Sequence, residues 1–228
     1  MRLGLYVSHG SGVPETIRAA CLDQLTQAGF DLVIFVVPAH LRSEITDRWP
    51  SSAIHMVDQE CVRPCLLDRW HRIDTGLQGI RRAHPVHLLE HDVYYPDDYA
   101  KRPRPDLPTV ATYMPAVRLT RTGWGTAQEL SSTCCARAGY LRQISRRRCE
   151  TLEAGKRQTV DEPGNAPRDP GNAALLKYPG VPVIDIRHGN NYTGDRTAQH
   201  THHPELGDFA AFWQIINDAK HTEKEPTP

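Results

Sequence analysis

The chain has 228 residues, of which 39% are hydrophobic and 24% are charged, and its formal net charge at pH 7 is zero. This length and hydrophobic content are enough for one sizeable core. No apolar run approaches the ~18 residues that a membrane-spanning helix needs. Residues 1–30 do not read as a secretory signal. We therefore expect a soluble, cytoplasmic protein with no membrane span.

The six cysteines do not have the spacing of a zinc ribbon. Cys61 and Cys65 lie four positions apart and Cys134 and Cys135 are adjacent, whereas a ribbon needs a pair of CxxC motifs. A disulfide framework is not expected either, because a cytoplasmic chain of this size does not need one. We expect small buried thiols.

Strand-like and helix-like segments alternate over the first 92 residues. Apolar runs predict strands at 2–9, 30–40, 52–60 and 84–92. Apolar residues at helical spacing predict helices at 13–29 and 61–83. This alternation predicts an open α/β sheet.

The second half is less regular. Residues 109–124 look extended with a turn, and residues 129–152 look helical. Residues 159–182 are rich in proline and form a connection too long to be idle in a compact domain. A last strand is predicted at 181–189 and a last amphipathic helix at 205–221.

Polar residues and glycines lie at the carboxyl ends of four of the predicted strands. They are Ser8, His9 and Gly10, then Asp58, then Glu90, His91 and Asp92, and finally His188, Gly189 and Asn190. Any one group is compatible with an ordinary solvated strand end. Ligands of open α/β sheets bind beyond the carboxyl ends of the strands, so several such groups at one edge predict a ligand site.

Two motifs carry a family resemblance. The sequences "LLEHDVYYPDDY" (88–99) and "DIRHGNNYTGDR" (185–196), in this order of elements, resemble small bacterial and phage-type GT-A glycosyltransferases. The resemblance implies a GT-A (Rossmann-like) open mixed α/β sheet flanked by helices, in a single domain. That domain would span 1–216, with a nucleotide-binding half at 1–92 and an acceptor half with the metal-binding last strand at 93–216. Residues 217–228 would be a C-terminal tail.

The resemblance implies transfer of a sugar from a nucleotide-diphosphate donor, expected to be a UDP-sugar, to a hydroxyl acceptor. A divalent cation stabilises the charge on the leaving diphosphate. Mn²⁺ or Mg²⁺ prefers carboxylate oxygens, and Mn²⁺ also tolerates an imidazole nitrogen. By the resemblance, Asp92 and His188 would bind the metal and Glu90 the donor. Ser8, His9, Gly10 and Asp58 would line the nucleoside.

An inverting transfer also needs a general base. Relatives commonly carry an acid that faces the acceptor near this point of the chain, so Glu162 is the first choice and Asp161 the second, with a solvated loop acid as the alternative. Trp124 lies in "RTGWGT". It could stack on an acceptor ring or anchor a hairpin.

The charges are unevenly distributed. Between Lys101 and Arg157 there are twelve Lys and Arg against four acids, a net charge of +8. Of Arg146, Arg147 and Arg148, at least two should reach solvent, and Arg146 and Arg147 are predicted to bind the acceptor. Phage-type relatives suggest a hydroxylated pyrimidine in DNA as that acceptor. The alternative is that these cations pair with the acidic remainder of the chain.

Two other functions remain open from the sequence. His200, His202 and His203, with His188, could form a metal cluster of a metal-dependent hydrolase. A nucleotide-binding module without turnover would keep the polar strand ends and lack the base.

Overall fold

The structure is a computed structural model. It describes residues 1–8, 13–59, 66–102, 112–113, 116–120, 123–126, 131–156, 176–177, 181–186 and 214, with the backbone alone at 112, 113, 118, 120, 123–126, 131, 176 and 177. The helices are α1 Glu15–Leu25, α2 Arg42–Thr46, α3 Leu66–Leu77 and α4 Ala138–Glu153. The strands are β1 Leu3–Val7, β2 Leu32–Val37, β3 Ile54–Asp58, β4 Pro85–Glu90, β5 Val93–Tyr94, β6 Thr112–Tyr113, β7 Ala116–Thr120, β8 Gly123–Thr126, β9 Cys134–Arg137, β10 Leu176–Lys177 and β11 Val183–Ile186.

Within these residues the strands form two sheets. The larger has the order β10-β6-β9-β4-β1-β2-β3, and the smaller has the order β5-β11-β7-β8. In the larger sheet β4, β1, β2 and β3 run parallel, while β9 is antiparallel to both β4 and β6. The predicted open mixed α/β sheet flanked by helices is therefore confirmed.

The larger sheet is covered by helices on both faces. Leu5 and Val36 belong to one apolar cluster, which also contains Trp70 of α3 and Leu141 of α4. The side chains that alternate with them in β1 and β2 belong to a second cluster with residues of α1. Strands buried on both faces read as continuous apolar runs, which is why β1 and β2 were evident from the sequence.

Helix α3 lies very close to the sheet. A Cβ atom added at Gly76 would come within 2.3 Å of Leu5 Cδ1 and 2.8 Å of Val36 Cγ2. Only a residue without a side chain fits at that contact. Because of this close contact, α3 packs over the carboxyl halves of β1 and β2, next to the polar residues at the strand ends.

Two predicted helices are shorter than expected. The helix predicted at 61–83 ends at Leu77, because Gly79 adopts a positive φ of 82° and the chain turns there. The helix predicted at 129–152 is wrong over Cys134–Arg137, which form β9. Residues 134–136 are buried on both faces between β4 and β6, where sheet pairing outweighs helical preference.

The cysteines within the described ranges are free thiols. Cys21, Cys134, Cys135 and Cys149 are all buried, as predicted, and Cys61 and Cys65 lie outside those ranges. Among the helices described, none has the length and apolar character needed to cross a bilayer.

Candidate functional site

The carboxyl ends of β1, β3 and β4 meet at one edge of the larger sheet, which we call the strand-end rim. Val7 is in register with Glu90 of β4, and Val37 of β2 is in register with Asp58 of β3. Ser8 continues β1, and its N–H donates to Val36 of β2 (3.2 Å). The structure thus brings Ser8, Asp58 and Glu90 to the same edge, as the sequence predicted. His9 and Gly10 lie outside the described residues.

A side-chain hydrogen bond joins two of the strand ends. His91 Nδ1 lies 2.8 Å from Ser8 Oγ. The Ser8 side chain is buried, with the residue only 2% exposed. This contact gives His91 a structural role, because it holds the end of β4 against the end of β1.

The two carboxylates predicted to contact the nucleotide are each paired with an arginine. Glu90 forms an ion pair with Arg69 of α3, and Asp58 pairs with Arg42 of α2 (2.5 Å). The Arg69 and Glu90 side chains are 22% and 24% exposed. Each ion pair is close to neutral overall, and it holds its carboxylate at the rim. Sequence reasoning missed both arginines, because it considered the ends of β1, β3, β4 and the last strand, whereas Arg42 follows β2 and Arg69 lies within α3.

Arg72 is a third arginine at the rim, and it is 1% exposed. Its Nε donates to Asp68 (2.6 Å) and its Nη1 to the carbonyl of Gln59 (2.8 Å), directly after β3. Its Nη2 has no hydrogen-bond partner among the described residues. A buried guanidinium is costly unless it is hydrogen-bonded, so these contacts fix the start of α3 against the end of β3.

Tyr95 connects the rim to the segment before β9. Its hydroxyl accepts a hydrogen bond from the N–H of Glu90 (3.0 Å) and donates one to the carbonyl of Ser132 (3.2 Å). The residue is fully buried, and burial raises the pKa of its hydroxyl well above the ordinary value. Tyr95 is therefore a buried residue that joins the end of β4 to the segment before β9.

We expect Tyr95→Phe to lower the free energy of unfolding by about 1–3 kcal/mol, because the carbonyl of Ser132 and the N–H of Glu90 would lose a buried partner. Tyr99→Phe is the matched control. Tyr99 is also fully buried, and its ring centroid lies 5.0 Å from that of Tyr95. Within the part of the chain that the structure describes, its hydroxyl has no hydrogen-bond partner. Urea unfolding of both variants measures the difference, and equal losses would contradict the assigned hydrogen bonds.

Among the described residues, two acidic side chains are buried, and both are aspartates. Asp92 is 8% exposed and Asp185, on β11, is 7% exposed. The N–H of Ile186 donates to the carbonyl of Asp92 (2.9 Å), so β11 ends beside Asp92. Burial raises the pKa of the Cys21 thiol, and the negative charges of Asp92 and Asp185 raise it further. Asp185 is in register with Val93, the residue after Asp92, so the two aspartates lie close to each other in the fold.

Asp185 is a residue that sequence reasoning missed. Its signal was an acid inside the apolar run "VIDI". A buried carboxylate offers the oxygen ligand that a hard divalent cation prefers. Over the described ranges, no group of three or more His, Cys, Asp and Glu side chains is arranged to hold a metal ion.

Several predicted residues lie outside the described ranges. They are His188, Asp161, Glu162, His200, His202 and His203. Trp124 belongs to β8 and pairs through its backbone with Leu119 of β7, while its side chain is not described.

Of the three consecutive arginines on α4, two reach solvent, as predicted. Arg146 and Arg147 are exposed, and Arg148 is buried with its guanidinium 4.4 Å from the centre of the Trp70 ring. Arg146 Nε donates to Asp74 of α3 (3.1 Å). Part of the basic segment is thus used to join α4 to α3.

No protein-family model and no curated protein matches the sequence. Several solved structures match the fold of the chain. A glycosyltransferase involved in glycosylation of the major capsid of PBCV-1 matches with 10% identity and a TM-score of 0.46, over 77% of this chain and 81% of that chain. The manganese complex of Rv0371c from Mycobacterium tuberculosis matches with 15% identity and a TM-score of 0.43, over 84% and 95%.

The CTP:phosphocholine cytidylyltransferase of Streptococcus pneumoniae matches with a TM-score of 0.50 and 9% identity. The match covers 85% of this chain and 97% of that chain. At this identity the likeness is one of fold. The chain therefore shares the Rossmann-like fold of a nucleotidyltransferase.

Proposed function

We propose that the chain is a metal-dependent transferase that acts on a nucleotide substrate at the strand-end rim. The observation that carries this proposal is the hydrogen bond between Ile186 N–H and the carbonyl of Asp92 (2.9 Å). This hydrogen bond joins β11, the last described strand, to Asp92, the second residue after β4. Polar groups from the two halves of the chain thereby meet beside the rim, which is where ligands of open α/β sheets bind.

Asp92 and His188 are the proposed metal ligands, with Asp185 nearby. In the sequence, His188 follows Ile186, the last residue of β11, by two positions. A bound Mn²⁺ or Mg²⁺ would neutralise charge on a leaving diphosphate. The buried carboxylate of Asp92 supplies the hard oxygen that such a cation prefers.

Ser8, His9, Gly10, Asp58 and Glu90 are proposed to line the nucleotide. In support, Ser8, Asp58 and Glu90 lie on one edge of the sheet, and arginines hold both carboxylates in place. Such carboxylates can accept hydrogen bonds from ribose or sugar hydroxyls, and the N–H groups of the paired arginines that remain available could donate to phosphates.

We propose that the transferred group is a sugar, moved from a nucleotide-diphosphate donor to a hydroxyl acceptor. The second candidate is nucleotidyl transfer, which is favoured by the TM-score of 0.50 with the cytidylyltransferase. The two reactions break different bonds. Sugar transfer breaks the bond between the sugar carbon and the diphosphate, whereas nucleotidyl transfer breaks the bond between the α- and β-phosphates of a nucleoside triphosphate.

The products therefore separate the candidates. The chain is incubated with Mn²⁺ and either nucleotide sugars, beginning with UDP-sugars, or nucleoside triphosphates. Release of nucleoside diphosphate from a nucleotide sugar supports the proposal, and release of pyrophosphate from a triphosphate supports nucleotidyl transfer. Binding without any release would identify a nucleotide-binding module, and hydrolysis of sugar-free phosphate esters would identify a hydrolase.

A DNA acceptor has less support from the structure than from the sequence. Arg102 is half-buried and donates to the carbonyl of Val181 (2.5 Å), and Lys101 pairs with Asp98 (2.5 Å). Arg148 is buried on Trp70. The support that remains is the exposure of Arg146 and Arg147, which were predicted to bind the acceptor.

A further inference from the structure

A pocket of about 700 Å³ lies along the first three turns of α4. The charged residues that line it are Arg82, Arg137, Arg142, Arg146, Arg147 and Glu150. Five arginines and one glutamate give the lining a net charge of +4. The volume is in the range of pockets that bind small molecules. An excess of guanidinium groups in a concave site is suited to phosphate groups, which they contact in pairs of hydrogen bonds.

The base of this arginine pocket lies at the end of the sheet opposite to the strand-end rim. Arg82 precedes β4, and the N–H of Gly139 in the first turn of α4 donates to its carbonyl (2.9 Å). Glu90, at the rim, is the last residue of the same strand. The five residue steps from Pro85 to Glu90, at ~3.3 Å each, separate the two ends of β4 by about 17 Å. A ligand held at Arg82 is therefore out of contact with the groups at the rim.

Parts of the pocket are held in position before any ligand binds. Arg142 donates to the carbonyls of Leu77 and Ile80 (3.1 Å to Ile80), at the end of α3 and just after it. Arg146 is held by Asp74. Arg82 is exposed and forms no ion pair with a described residue, so its guanidinium can turn toward a ligand. A partly fixed lining lowers the entropy cost of binding.

We propose that the arginine pocket binds a small ligand that carries two or more phosphate groups, at a site separate from the rim. Residues Arg142 and Arg146 are four apart on α4, so they are neighbours on one helix face. A single diphosphate can therefore contact both. The half-buried Arg137 and Arg142 favour a small ligand over duplex DNA, whose backbone approaches exposed side chains. This inference does not depend on the reaction proposed for the rim.

The test is calorimetric titration of the full chain with inorganic pyrophosphate in EDTA, so that metal-dependent binding at the rim does not contribute. We expect Arg82→Glu and Arg147→Glu each to weaken binding by at least ~10-fold, about 1.4 kcal/mol. Arg81→Glu is the matched control, because Arg81 is an exposed neighbour of Arg82 that does not line the pocket. It should change the affinity by less than ~3-fold. Melting temperatures verify that all three variants fold.

Three results would overturn the proposal. One is equal weakening by Arg81→Glu and Arg82→Glu, which would indicate only the general charge of the surface. Another is loss of pyrophosphate binding in Asp92→Asn, which would place the anion at the rim. The last is Arg82-dependent binding of duplex DNA with no binding of pyrophosphate, which would identify a nucleic-acid surface instead.

Discussion

Asp92→Asn should abolish Mn²⁺-dependent binding of a nucleotide sugar while the chain stays folded. The substitution keeps the shape of the side chain and removes the negative charge that a hard cation requires. The carbonyl of Asp92, which accepts from Ile186, belongs to the backbone and is retained. Thermal shift with a panel of nucleotide sugars measures the effect, because a ligand that binds only the folded state raises its stability by mass action.

Asp97→Asn is the control for this experiment. Asp97 is exposed, lies five residues further along, and accepts a hydrogen bond from Gln24 Nε2 (2.6 Å) that an asparagine oxygen can also accept. It should bind donor and metal as the unmodified chain does. Unchanged metal dependence in Asp92→Asn would show that Asp92 is not a ligand, and would make Asp185 the carboxylate to test next.

Glu162→Gln should reduce turnover by ~10² or more while donor binding survives, which is the range for loss of a general base. The amide cannot accept the proton of the acceptor hydroxyl. Steady-state rates with saturating donor and acceptor, together with donor affinity by thermal shift, separate the chemical step from binding. Asp161→Asn is the companion variant, since Asp161 is the second choice for the base.

The pattern across the two variants identifies the mechanism. A loss confined to Glu162→Gln supports an inverting transfer with this base, and a loss confined to Asp161→Asn moves the role by one residue. Near-normal turnover in both would contradict the assignment and favour a retaining mechanism, which does not need such a base.

The position of the rim could be predicted from the sequence because parallel pairing leaves little freedom. Once β1 and β4 are adjacent and parallel, the residues that follow them must lie side by side, as Ser8 and His91 do. The strands themselves were evident because both of their faces are apolar. In this half of the chain, the strands predicted from the local hydrophobic pattern are therefore also strands of the fold.

Other features depend on contacts that no local pattern encodes. Arg69 and Glu90, which form an ion pair, are 21 positions apart in the sequence. Their contact requires α3 to pack closely on the sheet, and Gly76 permits that close packing. Strand β9 is stabilised by backbone pairing with β4 on one side and with β6 on the other. No change in the local sequence pattern marks the point where β9 ends and α4 begins. Asp185 stands in an apolar strand, and its nearness to Asp92 follows from the pairing of β11 with β5.

The hydrogen bond between Asp92 and Ile186 has a consequence for how the chain acquires its binding site. It closes a loop of 94 residues, and the entropy cost of such a closure is met only when many other contacts form with it. Non-local contacts of this kind form late and together. The site should thus exist only in the completely folded chain. During refolding, the fraction of chains that bind ligand should therefore equal the fraction that has completed the fold. A fragment that ends before β11 should bind no donor.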